Sequence, residues 1–338
     1  MQEMKKWIGD ILKFVIFLGI GLFFVYWFLL KLDSETKAAI WNSIIGANYW
    51  WVAGAILLGI LALFIRALRW QLLYEPLKQT PSINNTFGAV LVAYLANLAF
   101  PRLGEILRCA VIRTSENIPV EKSLGTVLTE RIIDVAAYGV IALLGLALMF
   151  SDMQEWFADD FHNKFSALPS IAWIFAIAIG LVIIAIVLYK KFRTKLIKHK
   201  VFKKIDELLA GCVEGFKSII HLKRRSMILF IIYSILIYLS YICGGWVIFQ
   251  AFSETYGLGF KAAFVAYLFG SIGMVISQGG IGAYPTLVQK ALALYGISLT
   301  VGNACGWLLW SSQQILIIIL GLLYTIYFSL QKKKIKTQ

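Results

Sequence analysis

Three polar stretches and one arginine pair interrupt an otherwise apolar chain, and their spacing suits the handling of an anion inside a membrane. The first stretch runs Asn97-Leu98-Ala99-Phe100-Pro101-Arg102-Leu103-Gly104-Glu105, with Arg108 one turn on. Proline lacks the N–H and crowds the preceding turn, so a helix stops there. Gly104 lets the chain turn sharply or approach a partner closely. Glu105 and Arg108 are three apart and share a helix face. Backbone N–H groups opening the next helix would point at the break, and with Arg102 they would hold an anion such as a lipid phosphate. A buried Arg–Glu clamp that only fastens the break fits the same residues.

The second stretch, Thr129-Glu130-Arg131-Ile132-Ile133-Asp134, opens an apolar run, with Arg131 and Asp134 on one face. A charge near the centre of a span costs roughly 2.5–3.5 kcal/mol on insertion scales, so such residues pair, face a bundle interior and are functional candidates. A snorkelling pair at a span end is the plainer account of Glu130 and Arg131. The third stretch is Ser277-Gln278-Gly279-Gly280-Ile281-Gly282-Ala283-Tyr284-Pro285. Its glycines free the backbone, and exposed N–H groups in such a turn can form an anion nest. A tight packing turn between two half-helices explains it equally well. Finally, Arg66 and Arg69-Trp70 close an apolar run and read first as interface anchors, with headgroup contact as a second role.

The elements that carry these residues must be membrane helices. Of 338 residues, 60% are hydrophobic and only 15% charged, against about 25% charged in soluble domains. That excludes a soluble enzyme, a disordered chain and a nucleic-acid-binding domain. The net charge of +14 clusters between apolar runs and so reads as topology rather than nucleic-acid binding. Cys109, Cys212, Cys243 and Cys305 form no C-x-x-C pair and sit near no histidine, and His162, His199 and His221 fall in loops. Neither a metal nor another cofactor is expected.

Six runs reach membrane-spanning length: 11–30, read as a signal anchor, then 50–65 (extending toward Tyr74), 132–150, 171–189, 228–249 and 303–328. The stretch 190–225 holds 12 Lys+Arg against 3 Asp+Glu, whereas 151–170 has Asp152, Glu155, Asp159 and Asp160 with only Lys164. The positive-inside rule puts both termini and the 190–225 linker in the cytoplasm, in a plasma (inner) membrane. Within that linker Phe202, Ile205, Leu209, Val213, Phe216 and Ile220 recur at helical spacing. They describe either an amphipathic helix on the inner leaflet or a connector packed on the bundle.

Two apolar segments are too short for ordinary spans: Phe87–Phe100, followed by Leu103–Ile112, and Ala262–Ile276, followed by Pro285–Ile297. Each broken pair is flanked by a span on either side, and the charge rule gives the two units opposite orientation. Interrupted segments at corresponding places in inverted halves point to a transporter's substrate site. The alternative is four ordinary short helices. The expected fold is therefore an all-α polytopic membrane helix bundle. It forms a single integral membrane domain over 1–338, with a first half at 50–150 broken near 97–105 and a second at 228–328 broken near 277–285.

Taken together, Arg66-Ala67-Leu68-Arg69-Trp70, Pro101-Arg102-Leu103-Gly104-Glu105, Glu130-Arg131-Ile132-Ile133-Asp134 and Gly279-Gly280-Ile281-Gly282 resemble the transmembrane flippase domain of lysylphosphatidylglycerol synthases, over roughly 45–330. The resemblance implies movement of a phospholipid, an aminoacylated lipid or a lipid-linked precursor between leaflets. In full-length synthases a soluble domain transfers lysine to the lipid. This chain ends at Gln338, about ten residues past its last span, so that activity is not expected. Gln278 stands where many members have proline, and Tyr284-Pro285 where many have an acidic residue. A substrate other than a cationic aminoacyl lipid is therefore in view.

The residues expected to meet substrate are Arg102, Gly104, Glu105, Arg108, Glu130, Arg131, Asp134, Gln278, Gly279, Gly280 and Gly282, with Arg66, Arg69 and Asn97 as headgroup or interface contacts. No Walker A motif points to ATP. Two other functions compete. One is an intramembrane lipid-modifying enzyme using Asp159-Asp160, and the other is a non-transporting assembly partner in the cell envelope. The expected partners are membrane phospholipids, anionic by the charge argument, together with a second copy of the chain or a separate envelope-biosynthesis enzyme.

Overall fold

The computed structural model describes residues 34–99, 102–156 and 222–337. The expected spans at 11–30 and 171–189, Asp159-Asp160, the three histidines and nearly all of the basic linker lie outside those residues. The chain forms two compact parts, 1–127 with 221–338 and 128–220.

Every regular element among the described residues is helical: α1 (Ser34–Ile45), α2 (Tyr49–Leu72), α3 (Ile83–Ala99), α4 (Leu103–Glu116), α5 (Val120–Trp156), α6 (Arg224–Phe249), α7 (Phe260–Ile276), α8 (Ala283–Ala293) and α9 (Leu299–Thr337). Four stretches are long and apolar enough to cross a bilayer: Tyr49–Leu77, Val120–Met149, Arg224–Phe249 and Leu299–Gln331. The protein is an all-α membrane helix bundle. Each of these four helices is longer than its apolar run suggested, because polar residues at the ends continue the helix. α5 begins twelve residues before the expected start at 132. α1 has no counterpart among the expected elements, since twelve residues with two charges resemble a loop.

Local chemistry sets the boundaries. The Asn48 side chain accepts from the Trp50 N–H at 3.1 Å and starts α2. α2 ends in a one-turn helix that contains Pro76. Ser82 Oγ accepts from the Asn85 N–H at 3.3 Å where α3 begins. Asn117, with φ of 57°, closes α4 and donates its N–H to the Arg113 carbonyl at 3.1 Å.

In the first part, α2 and α6 lie antiparallel. The Asn48 N–H donates to the Ala251 carbonyl at one end, and Arg69 Nη1 donates to Ser234 Oγ at 3.1 Å near the other. The remaining order is organised along α9. Near its C-terminal end, the Tyr324 hydroxyl donates to Asn84 Oδ1 at 2.8 Å, and Gly88 seats against Tyr324 and Phe328. Further in, Gly321 meets Leu91 and Leu95. At Trp310, the indole Nε1 donates to the Gly279 carbonyl at 2.7 Å. Beyond it, Gly306 packs on Pro285, and Asn303 Nδ2 donates to Gln289 Oε1 at 2.8 Å.

Moving along α9 therefore passes the open end of the α3–α4 hairpin, then both hairpin tips, then the α7–α8 hairpin toward its open end. The two hairpins enter from opposite ends of one spanning helix, which is the inverted plan the hydropathy pattern suggested. Both are closed by a glycine set against a residue eleven positions away, Gly104 against Ala93 and Gly273 against Tyr284. Three residues beyond Trp310 along α9, Gln313 lies on Gly59 near the middle of α2. The tips are thus near the middle of helices that rise about 1.5 Å per residue across the membrane.

At the open end of the first hairpin, Glu116 accepts from the Ser82 N–H at 2.9 Å and from Asn85 Nδ2 at 2.7 Å. Partial burial pushes this carboxyl upward, but hydrogen bonding with Ser82 and Asn85 outweighs it and holds Glu116 below its ordinary value of 4.5. A carboxylate depressed on folding contributes stability that is complete above the unfolded value and fades as pH falls through the folded one. Stability of the purified protein should therefore fall as pH drops below 4.5, and Glu116→Gln should flatten that segment of a pH–melting profile. An unchanged slope in the variant would remove Glu116 from the account.

Of the second part, α5 from residue 128 to 156 is described. Val135, Val140, Leu143, Leu144 and Leu148 are exposed on it, as suits a helix in contact with lipid.

Candidate functional site

The first break is built from its own side chains. Asn97 Oδ1 accepts from the Gly104 N–H at 2.8 Å, and the Glu105 N–H donates to the Arg102 carbonyl at 3.3 Å. Two of the leading amides of α4 are therefore already used within the chain, so bare backbone contributes less to an anion site than the sequence suggested. Arg102 takes φ of 68°, a left-handed conformation unusual for a residue with a side chain, and is exposed at the tip. Gly104 is buried, and a Cβ there would enter the Ala93 carbonyl. Glu105 is half-buried in the first turn of α4.

The second break follows α7. Gln278 opens a single turn, after which Gly279, Gly280 and Gly282 all have positive φ, at 63°, 76° and 73°. Side chains seldom adopt that backbone, which accounts for the glycines. Gly279 comes within van der Waals reach of Leu98 in the first hairpin, with 3.7 Å between its Cβ position and Leu98 Cδ2. The two breaks meet.

Three arginines are buried among the described residues of the first part: Arg66, Arg69 and Arg108. Each guanidinium lies over an aromatic face, Arg66 at 5.8 Å from the centroid of Tyr94, Arg69 at 5.2 Å from Phe230 and Arg108 at 4.6 Å from Trp70. Desolvated cation–π contacts are worth about 2 kcal/mol or more, which offsets a large share of the cost of a charge at membrane depth. Arg66 and Arg69 are not the interface anchors their place at the end of an apolar run suggested. α2 continues past them, and α3 and α6 cover them. Around Arg66, the Tyr241 hydroxyl is an electrostatic neighbour of both Arg66 and Tyr94. The Tyr241 ring stacks on Tyr267 of α7 at 6.3 Å and 8°.

In the second part, Glu130 is fully buried inside α5 rather than at a helix end. Arg131 and Asp134 form the expected i,i+3 ion pair at 3.7 Å.

The aromatic and hydroxyl partners Tyr94, Thr126, Phe230, Ser234 and Tyr241 lie outside the polar stretches and carried no motif signal, whereas Trp70 read with Arg69 as an interface anchor. Trp310 and Gln313 carried a usable signal. Ser311-Ser312-Gln313-Gln314 is a polar block at the middle of the last span, where polar groups are expensive unless they serve a site.

Inverted hairpins whose tips meet inside a bundle, with three arginines buried in the same part, belong to an integral membrane helix bundle. The family model for the lysylphosphatidylglycerol synthase TM region matches residues 11–332, and the chain belongs to that family. No curated protein and no solved structure matches the chain. Membership associates the protein with membrane lipid.

Proposed function

We propose that the protein moves a phosphate-bearing lipid, which is an anionic phospholipid, an aminoacylated lipid or a lipid-linked precursor, from one leaflet to the other without chemical change. The observation that carries this reading is the meeting of two hairpin tips, entered from opposite ends, near the middle of the spanning helices. A headgroup held there is equidistant from both leaflets, and small movements of either hairpin would admit it from one side or the other. Arg66, Arg69 and Arg108 supply positive charge on the side of the first hairpin. Arg102 supplies it at the tip, and the acyl chains stay in the surrounding lipid.

Orientation follows from charge. The end where α6 begins and α9 finishes carries Lys223, Arg224, Arg225 and Lys332-Lys333-Lys334, so it faces the cytoplasm of a plasma membrane together with both termini. The opposite end exposes Tyr49, Trp50 and Trp51, as an interfacial aromatic belt does.

The test is translocation in proteoliposomes. Purified protein is reconstituted with phosphatidylglycerol labelled on an acyl chain, and inner-leaflet label is scored by its protection from an impermeant quencher. Loss of protected label in protein-containing vesicles beyond that of empty ones supports a flippase. Equal protection across several anionic lipids, with and without an imposed proton gradient, overturns the reading and leaves an intramembrane enzyme or an assembly partner.

A further inference from the structure

The surroundings of Trp70 reach beyond packing. Trp70 is fully buried on α2. Its indole Nε1 donates to Thr126 Oγ1 at 2.9 Å, at the start of α5. Thr126 in turn donates to the Ser123 carbonyl at 2.7 Å, so the acceptor is itself held in place. The edge of the Trp70–Tyr74 pair is fixed by a T-shaped contact at 5.5 Å and 60°. One hydrogen bond and one ring contact thus set the plane of the indole. Over that plane, at 4.6 Å from the ring centroid, lies the Arg108 guanidinium, one turn beyond the first hairpin tip.

A long, flexible cation is thereby held by a rigid face. The indole is the strongest of the natural cation–π faces. The guanidinium carries its N–H donors in one plane, the geometry that meets phosphate oxygens in pairs. We propose that Trp70 is a specificity-determining positioning residue, which with Thr126 presents Arg108 to the phosphate of an anionic lipid headgroup and so sets preference for anionic over zwitterionic lipid. This rests on the reading that lipid headgroups pass the first break. It adds the residue that orients the cation and the headgroup class it selects.

The test reads binding selectivity separately from transport. Purified protein in detergent is mixed with equal amounts of dioleoyl phosphatidylglycerol and dioleoyl phosphatidylcholine, and lipid adducts are counted by native mass spectrometry. The wild-type protein should retain phosphatidylglycerol in preference. Trp70→Leu should lower that preference about tenfold, the scale of a lost desolvated cation–π contact. Trp70→Phe keeps a ring face and should retain most of it, and Thr126→Val should fall between. Leu91→Ala, in a fully buried residue of α3 that makes none of the hydrogen bonds or ring contacts above, serves as a variant that loses thermal stability with its selectivity intact.

A wild-type protein without preference overturns the proposal, as does a Trp70→Leu protein whose preference equals that of Leu91→Ala. Translocation is measured on the same preparations. Preserved selectivity with no translocation would sink the flippase reading and leave Trp70 in its role.

Discussion

Gly104→Val should unfold the first hairpin or drive it off its seat, and it should be among the most damaging single substitutions in the protein. A Cβ at this position would enter the Ala93 carbonyl and lie 2.8 Å from Asn97 Oδ1. Neither neighbour can yield cheaply. Ala93 is helix backbone, and Asn97 is the acceptor for the N–H of Gly104 itself. Overpacking in a filled interior costs about 1–3 kcal/mol. A buried N–H that loses its partner adds about 1–3 kcal/mol. Together these come to about 2–6 kcal/mol, which reaches the lower end of the stability of whole domains. The contrast is Gly244→Ala in α6, where nothing lies within 4 Å of the new Cβ and a helix interior gains up to about 1 kcal/mol from alanine. Melting of the two purified proteins in detergent checks the pair. A Gly104→Val protein that melts with wild type would show that the hairpin is not held by this contact.

The same glycine shows what a sequence can convey. Pro101 and Gly104 announced a break, and three glycines at 279–282 announced another, because proline and glycine act on the backbone locally and leave their mark in the residue type itself. Spans were legible for a similar reason, since lipid leaves few choices of side chain. The opposed entry of the two hairpins was legible as hydropathy alone. What hydropathy could not convey was where the breaks end up, namely against one another through Leu98, Gly279 and Trp310.

Arg66 and Arg69 show the limit more sharply. At the close of an apolar run, an arginine reads as a residue reaching for water. Whether it does depends on what neighbouring helices bring to it. Here those helices bring Tyr94, Phe230, Ser234 and Tyr241, which lie 28 to 175 positions from the arginine they meet. No periodicity within α2 encodes that. Arg102 departs in the other direction. Its neighbours suggested a cradle of backbone amides, but the side chain of Asn97 satisfies one of those amides, an outcome that depends on a rotamer rather than on a motif.

Arg66→Lys should slow lipid translocation about tenfold or more while leaving most of the protein folded. Arg66 lies over the Tyr94 ring and next to the Tyr241 hydroxyl, and Tyr241 stacks on Tyr267 of the second hairpin. The arginine thus connects α2 with the first hairpin through Tyr94, and through Tyr241 with the second. Its guanidinium can do both at once because it is planar, with a face for the ring and edge donors for the hydroxyl. A lysine ammonium is a point charge on a flexible stem. It can satisfy the ring or the hydroxyl, and it keeps the net charge, so the loss isolates geometry from electrostatics. A desolvated cation–π contact is worth about 2 kcal/mol or more, which corresponds to about tenfold or more in rate if the contact is made where the hairpins move past the headgroup. Arg66→Met removes the charge as well. It should abolish translocation of phosphatidylglycerol while costing less stability than an unpaired buried cation would, because methionine fills the space without a polar atom. Rates from the quenching assay and melting curves on the same preparations separate the two effects. If Arg66→Lys translocates at the wild-type rate, the guanidinium is a structural fastening and the headgroup takes another route past the tips. If both variants lose rate only in proportion to folded protein, the Arg66–Tyr94–Tyr241 group holds the helices together and takes no part in moving lipid.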